Sequence, residues 1–415
     1  MLTIKGKYAT ALCYAKVIEE EAIAQIQKMC DTELTEGCQV RIMPDAHAGT
    51  GCTVGTTMTV RDKACPNIVG VDIGCGMYTV RLNEQDIDLA AVDEACHFIP
   101  SGLNVWERPV EAFCLTDLLC YPQLLEKERL ACSLGTLGGG NHFIEIDRAA
   151  DGAFYLIVHS GSRNLGKQTA GCYQRLAIDQ QRGMDDLDGQ RKALVLSLRE
   201  QQRYDEIQPA LAALKKAYKE KKPDVPEEMC WLTGEHLKAY LHDVEICQRF
   251  ARRSRELMSE IILQRAHLSS ADAFHTVHNY IDTEEMILRK GAIAARRGEK
   301  VLIPINMRDG SVLAVGKGNQ EWNQSAPHGA GRLMSRNKAK ETISLEAYRT
   351  AMAGIYSTSV NENTLDEAPM AYKSLSDIID VIRDTVDIID VMKPVYNFKA
   401  AEGEPPWKKK AGTAP

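Results

Sequence analysis

The hydrophobic positions of the chain follow two patterns, one typical of strands and the other typical of amphipathic helices. Residues 16–31 place their apolar side chains on one side of a helix, and residues 84–132 are predicted to be mixed and mostly helical. The pattern predicts an α+β fold with a mixed β-sheet core and flanking helices. Short apolar runs predict strands at 38–43, 53–60, 154–158, 286–290, 301–305 and 311–315.

A long, charged and amphipathic stretch separates two strand-rich halves of the chain. It runs from about residue 168 to 268 and predicts a helical insertion, broken near Pro223. The apolar residues between 378 and 389 predict another amphipathic helix, and the Pro- and Lys-rich residues 401–415 predict a disordered tail. Within the insertion, apolar residues recur at helical spacing at Leu237, Leu241, Val244, Cys247 and Ala251.

The composition is typical of a large globular protein without a membrane partner. The chain has 415 residues, of which 44% are hydrophobic and 26% charged. It shows no apolar signal-peptide core and no run of 18 apolar residues, so we expect a cytoplasmic protein. Its 13 cysteines have no repeating spacing, which favours reduced thiols over a disulfide framework.

The charge is unevenly distributed along the sequence. The net charge is −7, yet residues 287–340 contain 11 arginines and lysines against three acidic residues. A basic face on an acidic body can still bind phosphates, so nucleic acid is not excluded as a partner.

Residues 69–77 (VGVDIGCGM) carry the first candidate chemistry. Apolar runs on either side of three glycines predict a strand, a tight turn and a second strand, with Asp72 and Cys75 on the turn. A carboxylate beside a thiolate is a plausible cradle for a divalent metal, because sulfur can bridge two ions. Alone, the same pattern is also typical of a purely structural turn.

Histidines strengthen the metal hypothesis. His142, His159 and His278 follow strand ends or glycine loops, and together with Asp72 and Cys75 they make a mixed N, O and S set large enough for two adjacent ions. Such a pair can clamp the oxygens of a phosphoryl group in transit. His47 lies in a similar loop. The remaining candidates in or near the helical stretch are interpreted as structural, and they are His236, His242, His267 and His275.

His328 has a different setting, in the stretch 327–336 (PHGAGRLMSR). Two glycines follow it, and we predict that a helix starts there, so that Arg332 and Arg336 share one face and grip phosphates. A neutral imidazole beside a bound phosphate can act as a nucleophile and form a phosphoramidate. The alternative is a helix cap with two solvated arginines.

These stretches resemble the RtcB-type RNA ligases over nearly the whole chain, from residue 44 to 399. The resemblance implies a single RtcB-like catalytic domain over residues 1–400. Six blocks occur in order, at 69–77 (VGVDIGCGM), 135–145 (GTLGGGNHFIE), 159–163 (HSGSR), 278–280 (HNY), 328–336 (HGAGRLMSR) and 369–373 (PMAYK).

The resemblance also implies a role for each matching residue. Two Mn²⁺ ions would be bound by Asp72, Cys75, His142, His159 and His278, with Cys75 bridging, and His328 would be guanylylated by GTP. RNA-terminal phosphates would be held by Asp45, Arg163, Arg332 and Arg336. Contacts to the guanine nucleotide would come from Asn141, Glu145, Asn279, Pro304, Asn306, Met307, Ser311, His328, Gly329, Gly331, Tyr372 and Lys399.

The implied reaction joins broken RNA. GMP passes from the histidine to an RNA 3′-phosphate, formed if necessary by opening a 2′,3′-cyclic phosphate, and a 5′-hydroxyl then displaces GMP. The substrate would be RNA with broken ends, such as tRNA or rRNA. An archease-like activator or a release-factor homologue is a possible partner.

Two stretches depart from the family pattern. Residues 304–311 (PINMRDGS) replace Pro-Gly-Ser-Met-Gly, so that Ile305 reshapes the nucleotide loop and Arg308 adds charge beside the expected phosphates. Residues 45–51 (DAHAGTG) have small residues where larger or basic ones are common. These departures indicate a divergent branch of the family.

Two other functions fit part of the pattern. A metal-dependent phosphodiesterase would keep the metals without guanylylation, and a non-catalytic protein could bind RNA ends. Neither requires a nucleophilic His328 or a nucleotide-contacting Lys399, so the sequence favours the ligase.

Overall fold

The β structure consists of fifteen strands within the residues that the computed structural model describes, which are 1–49, 51–184 and 187–399. The strands are β1 Leu2–Lys5, β2 Thr10–Cys13, β3 Val40–His47, β4 Val54–Thr59, β5 Gly76–Leu82, β6 Phe143–Arg148, β7 Phe154–Ser160, β8 Ser270–Val277, β9 Asn279–Asp282, β10 Ile287–Lys290, β11 Ala292–Ala294, β12 Lys300–Asn306, β13 Gly310–Gly316, β14 Ser325–Pro327 and β15 Val386–Lys399.

The strands form two large sheets and one small one. The order in the six-stranded sheet is β1-β2-β3-β4-β10-β9, and in the seven-stranded sheet it is β12-β13-β15-β6-β7-β5-β8. Strands β11 and β14 make a separate pair. The pairing of β2 with β3 is parallel and the other named pairs are antiparallel. Together with the helices, these mixed sheets confirm the predicted α+β fold.

The described part of the chain contains eleven α-helices, and none of them is long and apolar enough to cross a membrane. The helices are α1 Glu20–Cys30, α2 Pro66–Val69, α3 Leu89–Phe98, α4 Lys127–Ala131, α5 Arg163–Gln181, α6 Leu187–Glu200, α7 Ile207–Glu220, α8 Gly234–Arg265, α9 Arg336–Thr342, α10 Leu345–Ala351 and α11 Leu375–Ile382.

The predicted helical stretch contains α5 to α8, and the chain is not helical around Pro223 and Pro226, as predicted. Helix α8 buries one face, including Val244, Phe250 and Met258. This face packs against β5, β7, α3 and α5. The 32-residue helix therefore supports the strands that carry the candidate site.

The approach to Asp72 differs from the prediction. Residues 66–69 form the short helix α2 instead of a strand, while the strand after the turn, β5, is confirmed. Pro66 suits the first turn of a helix, and Gly70 ends it with φ of +97°. In a run of four residues, burial alone does not distinguish a helix from a strand.

The helix predicted to start at His328 begins eight residues later, at Arg336. Ser335 caps it by accepting a hydrogen bond from the amide of Lys338 (3.3 Å). Gly331 has φ of +76°, and a Cβ there would lie 2.5 Å from the carbonyl oxygen of Asp45. The backbone is thus held in a loop against β3, and Arg332 and Arg336 do not share a helix face.

Two other predictions are corrected. The apolar run 378–389 is split between α11, which ends at Ile382, and β15, which pairs with β13 and β6. Residues 84–132 are helical only in α3 and α4, apart from short 3₁₀ turns. The six predicted strand runs correspond to β3, β4, β7, β10, β12 and β13. The predicted tail, 401–415, lies outside the described residues.

Candidate active site and metal centre

The turn that carries Asp72 and Cys75 lies between α2 and β5 and is fixed by backbone hydrogen bonds. The amide of Cys75 donates to the carbonyl of Asp72 (3.2 Å), and the amide of Gly74 donates to the carbonyl of Asn279 (2.7 Å). The amide of His278 donates to the carbonyl of Cys75 (2.9 Å). These bonds hold the turn against the junction of β8 and β9.

Three histidines converge on this turn: His142 directly before β6, His159 on β7 and His278 between β8 and β9. The Sγ of Cys75 lies 3.5 Å from Nε2 of His142 and 3.4 Å from Nε2 of His159. His142 Nε2 is 3.0 Å from Oδ2 of Asp72, and the Nε2 atoms of His159 and His278 are 3.0 Å apart. The fold therefore brings together all five residues that the sequence suggested as metal ligands.

The five side chains form two overlapping donor groups. Asp72, Cys75 and His142 make one group, and Cys75, His159 and His278 make the other. Within each group the donor atoms lie within 4.8 Å of one another. Thiolate, imidazole and carboxylate are typical ligands of divalent transition metals. Cys75 belongs to both groups, so its sulfur lies within 4.8 Å of the other donor atoms of each.

Two further observations fit a bound cation. The Oδ1 atom of Asp72 is buried and has no hydrogen-bond partner among the described residues, and a cation would satisfy it. Gly161 faces this carboxylate, and a Cβ at that position would lie 2.1 Å from Asp72 Oδ1. Residue 161 must therefore be glycine for the carboxylate to keep its place.

The protonation states of the histidines suit metal binding. Burial, with a smaller effect from His278, holds the pKa of His159 well below its usual value, and burial together with His328 does the same to the pKa of His278. Nδ1 of His142 lies 2.9 Å from the carbonyl oxygen of Leu137. When Nδ1 carries the proton and donates it to this oxygen, Nε2 keeps a lone pair for a metal. Burial, and then Asp72, raises the pKa of the Cys75 thiol, so a metal would displace its proton.

A cavity of about 240 Å³ opens beside these donor groups. Its walls include residues of β3, β6, β7, β12 and β15 and of the loop that follows β14. The lining residues are His47, Asn141, Phe143, Glu145, His159, Pro304, Ile305, Asn306, Met307, His328, Gly329, Ala330, Gly331, Arg332, Arg336, Glu367, Tyr372, Asn397 and Lys399.

His328 is anchored on one side of its ring. Its Nδ1 lies 2.6 Å from Oδ2 of Asp45, and its backbone amide donates to the same oxygen (3.2 Å). Asp45 is completely buried. With Nδ1 held in this way, Nε2 is the free ring nitrogen. The ring of His328 lies 4.8 Å from that of His278, so a potential nucleophile stands next to the second donor group.

Glu367 organises the charged wall of the cavity. It is 2% exposed and pairs with Lys399, Arg332 and Arg336, and it accepts a hydrogen bond from the hydroxyl of Tyr372 (2.7 Å). Burial opposes its ionisation, but Lys399 and then Arg336 lower the pKa of Glu367 to about 2. This anion holds three cationic side chains at the edge of the cavity.

Strand β6 carries a buried acidic pair, of which Glu145 lines the cavity. Glu145 and Asp147 project from the same face of β6, and the side-chain amide of Asn397 donates to Glu145. Burial, and then Asp147, raises the pKa of Glu145 well above its usual value, and burial raises the pKa of Asp147 to about 6. The pair therefore retains a proton that exposed carboxyls lose.

The family model described as tRNA-splicing ligase RtcB matches residues 25–110 and 122–400. The chain belongs to the RtcB family. It is 29% identical over 402 residues to the RNA-splicing ligase RtcB of Escherichia coli K12, with 87% of this chain and 90% of the relative covered. It is 27% identical to the tRNA-splicing ligase RtcB of Aeropyrum pernix (82% and 83% covered) and 26% identical to RNA-splicing ligase RtcB2 of another Escherichia coli strain (93% and 94% covered).

Most of the residues that the RtcB resemblance suggested as nucleotide contacts lie in the wall of the cavity. All of them except Asn279 and Ser311 line the cavity. The side-chain oxygen of Asn279 accepts a hydrogen bond from the amide of Gly291 (2.9 Å), and Ser311 is fully buried on β13. Neither residue is among those that line the cavity.

The three arginines suggested as RNA-phosphate contacts differ in their partners and in their exposure. Arg163 donates to Thr136 Oγ1 (3.1 Å) and to the carbonyl of Gly102 (2.6 Å), beside the metal ligands and outside the cavity lining. Arg332 is 15% exposed and bonds to the backbone oxygens of Met334 and Asp366. Arg336 is 39% exposed and remains accessible to a ligand, although it pairs with Asp366 and Glu367.

Several cavity residues were missed by the sequence analysis, among them Phe143, Glu367 and Asn397. One signal was available, because Asn397 and Lys399 stand two apart on a strand and share a face. Glu367 gave no comparable signal, because its cationic partners lie in two distant segments, Arg332 and Arg336 in one and Lys399 in the other.

The polar groups of the altered loop between β12 and β13 bond to one another. Asn306 accepts hydrogen bonds from the amides of Arg308 (3.0 Å) and Asp309 (2.9 Å), and the guanidinium of Arg308 pairs with Asp309 (2.9 Å). Arg308 is therefore neutralised by its neighbour and does not line the cavity.

Proposed function

We propose that the protein is a GTP- and Mn²⁺-dependent RNA ligase. It joins an RNA 3′-phosphate, or a 2′,3′-cyclic phosphate after opening, to a 5′-hydroxyl end. The observation that carries the proposal is the placement of His328, anchored by Asp45 through Nδ1, 4.8 Å from the ring of His278. The names of the RtcB relatives support RNA ends as the substrate class.

Two Mn²⁺ ions would be held by Asp72, Cys75, His142, His159 and His278, of which Cys75 belongs to both donor groups. Bound there, the ions supply Lewis-acid charge that polarises a phosphate and stabilises the oxygens of the transferring group. Neutral His159 and His278 provide lone pairs without a competing proton.

His328 would carry the covalent step. Nε2 attacks the α-phosphate of GTP, a P–N bond forms, and pyrophosphate leaves with the electrons of the broken P–O bond. Asp45 keeps the Nδ1 proton in place and stabilises the positive charge that develops on the ring. We therefore reassign Asp45 from an RNA contact to the orientation of His328, because a buried carboxylate would repel a phosphate.

The cavity would bind the nucleotide and the RNA end at different walls. Glu145, which lines the cavity, would meet the base, and Lys399, which pairs with Glu367, would meet phosphate or ribose oxygens. Arg336 is the best placed of the suggested arginines to meet the RNA 3′-phosphate. GMP then passes from His328 to that phosphate, and the 5′-hydroxyl displaces GMP to seal the strand.

The test separates the covalent step from sealing. With labelled GTP and Mn²⁺, the wild-type protein should give an adduct on a denaturing gel that is labile in acid and stable in alkali, as a P–N bond is. His328→Ala should give no adduct. The same variant should still seal RNA that already carries a 3′-terminal guanylyl cap, because that step bypasses the nucleophile.

His242→Ala is a matched control, since this histidine is half exposed on α8 and is not among the residues that line the cavity. An adduct in His328→Ala, or one resistant to acid, would overturn the assignment. Cleavage of RNA by a wild-type protein that forms no adduct would instead identify a metal-dependent phosphodiesterase.

A further inference from the structure

Arg255 is a fully buried arginine that the reaction described above does not use. It lies on α8, and its NH1 donates to the carbonyls of Gly74 and Ser160, both at 2.7 Å. Gly74 immediately precedes Cys75, and Ser160 immediately follows His159. One guanidinium nitrogen therefore ties together the two backbone segments that carry these two ligands.

The burial of this side chain requires an explanation. Removing a guanidinium from water is costly, and the Nε and NH2 atoms of Arg255 have no hydrogen-bond partner among the described residues. Burial lowers the pKa of Arg255 only to about 10, so the group stays charged at neutral pH. By contrast, Arg252 and Arg253 on the same helix reach surface carboxylates.

Other contacts of α8 act on the same region. The hydroxyl of Ser254 accepts a hydrogen bond from the amide of Gly135 (3.0 Å), at the start of the glycine loop that leads to His142. A Cβ on Gly74 would lie 2.9 Å from Cα of Gln248, so the Cys75 turn packs directly on the helix. Helix α8 thus touches the segments that carry four of the five ligands, which are Asp72, Cys75, His142 and His159.

We propose that Arg255 is a positioning residue of the metal centre. By holding the carbonyls of Gly74 and Ser160 on one nitrogen, it fixes the separation of Cys75 from His159, so that both side chains reach a single ion. The inference rests on the proposed metal-binding role of those two residues. It also gives the long helix α8 a direct part in shaping the site.

The experiment uses Co²⁺ as the metal probe on the full chain, without GTP or RNA. Cobalt bound to a thiolate gives a sulfur-to-metal charge-transfer band that reports on the Cys75–metal bond, and competition with a chelator gives the affinity. The variants are Arg255→Gln, which removes the charge and shortens the side chain, and Arg255→Lys, which keeps a charged donor. Arg252→Gln is the matched control on the exposed face of α8.

We expect Arg255→Gln to weaken Co²⁺ binding at least tenfold and to alter the charge-transfer band. Arg255→Lys should lose less affinity, and Arg252→Gln should match the wild type. Wild-type affinity and an unchanged band in Arg255→Gln would overturn the proposal.

If Arg255→Gln does not fold, cobalt binding by Arg255→Lys tests the proposal instead. A weaker or altered cobalt complex in a folded lysine variant supports the positioning role. Wild-type cobalt binding combined with a lower melting temperature would show that Arg255 serves the fold alone, which overturns it. Because the assay contains no nucleotide, a failure of guanylylation would count against the proposed function and not against this inference.

Discussion

At the scale of single residues, Gly161 controls the carboxylate of the first donor group. A Cβ at this position would lie 2.1 Å from Oδ1 and 2.3 Å from Oδ2 of Asp72. We therefore expect Gly161→Ala to displace the Asp72 carboxylate. The affinity of the Asp72–Cys75–His142 group for its ion should then fall by tenfold or more. The Cys75–His159–His278 group should keep its ion, so the manganese content measured by elemental analysis should fall from about two ions per chain towards one.

Two variants calibrate this result. Gly189→Ala is the control, because a Cβ there meets nothing within 4 Å. Cys75→Ala should lose both ions, since its sulfur belongs to both groups. Two tightly bound ions in Gly161→Ala would show that Asp72 is not a ligand, and a Cys75→Ala protein that retains both ions would rule out the bridge.

Residue identities in the candidate site were easier to predict than residue roles. The histidines and Cys75 stand out in sequence because glycines and strand ends surround them. The role of Asp45 was not visible in the sequence, because its partner His328 is 283 positions away and only the fold brings the two together. Arg255 gave no signal either, since a charged residue on an amphipathic helix is normally at the surface.

At the scale of elements, the prediction succeeded where the hydrophobic period was unambiguous. The strands β3, β4, β7, β10, β12 and β13 were predicted from short apolar runs. The run 378–389 failed because Ile378, Ile382 and Val386 are spaced like one face of a helix, while β15 gains hydrogen-bonded neighbours on both sides. Pairing with distant strands is invisible in a local period.

Strand β6 leads to a prediction about pH. Burial raises the pKa of Asp147 to about 6, above the value of about 4 expected in the unfolded chain. The folded state then binds the proton more tightly, so the stability that this group contributes is present below pH 4 and is lost as the pH rises through 6. Asp147→Asn should therefore stabilise the protein at pH 7.5 relative to the wild type, by on the order of 1–3 kcal/mol.

The measurement is the melting temperature of both proteins at pH 4.5 and pH 7.5. The advantage of Asp147→Asn should be a few degrees at pH 7.5 and smaller at pH 4.5. Asp151→Asn serves as the control, because that carboxylate is exposed after the same strand. An equal advantage at both pH values would show that Asp147 carries no extra proton.

At the scale of the whole molecule, the basic stretch 287–340 is less available than its composition suggested. Most of its basic side chains lie within 4.0 Å of a carboxylate, and several of those carboxylates lie outside the stretch. The expected basic face is thus largely neutralised by the fold. The paired residues are Arg289, Arg296, Lys300, Arg308, Lys317, Arg332, Arg336 and Lys340.

This neutralisation predicts a weak dependence of RNA binding on salt. Each phosphate neutralised on single-stranded RNA contributes about −0.7 to the slope of log K against log salt concentration. If the whole net charge of the stretch (11 basic minus three acidic residues) contacted phosphates, the slope would be about −6. If only Arg336 and a few neighbouring residues contact phosphates, the slope should be about −2. Fluorescence anisotropy with a 3′-phosphorylated RNA over a range of KCl concentrations measures the slope.

Arg336→Ala should make the slope shallower by about 0.7, because one phosphate contact is lost. Lys216→Ala is the matched control, since Lys216 is exposed on α7, away from the cavity lining. A slope near −6 would mean that the ion pairs of the basic stretch open when RNA binds. An unchanged slope in Arg336→Ala would place the RNA phosphate elsewhere, and Arg336 would then serve only to balance the charges of Asp366 and Glu367.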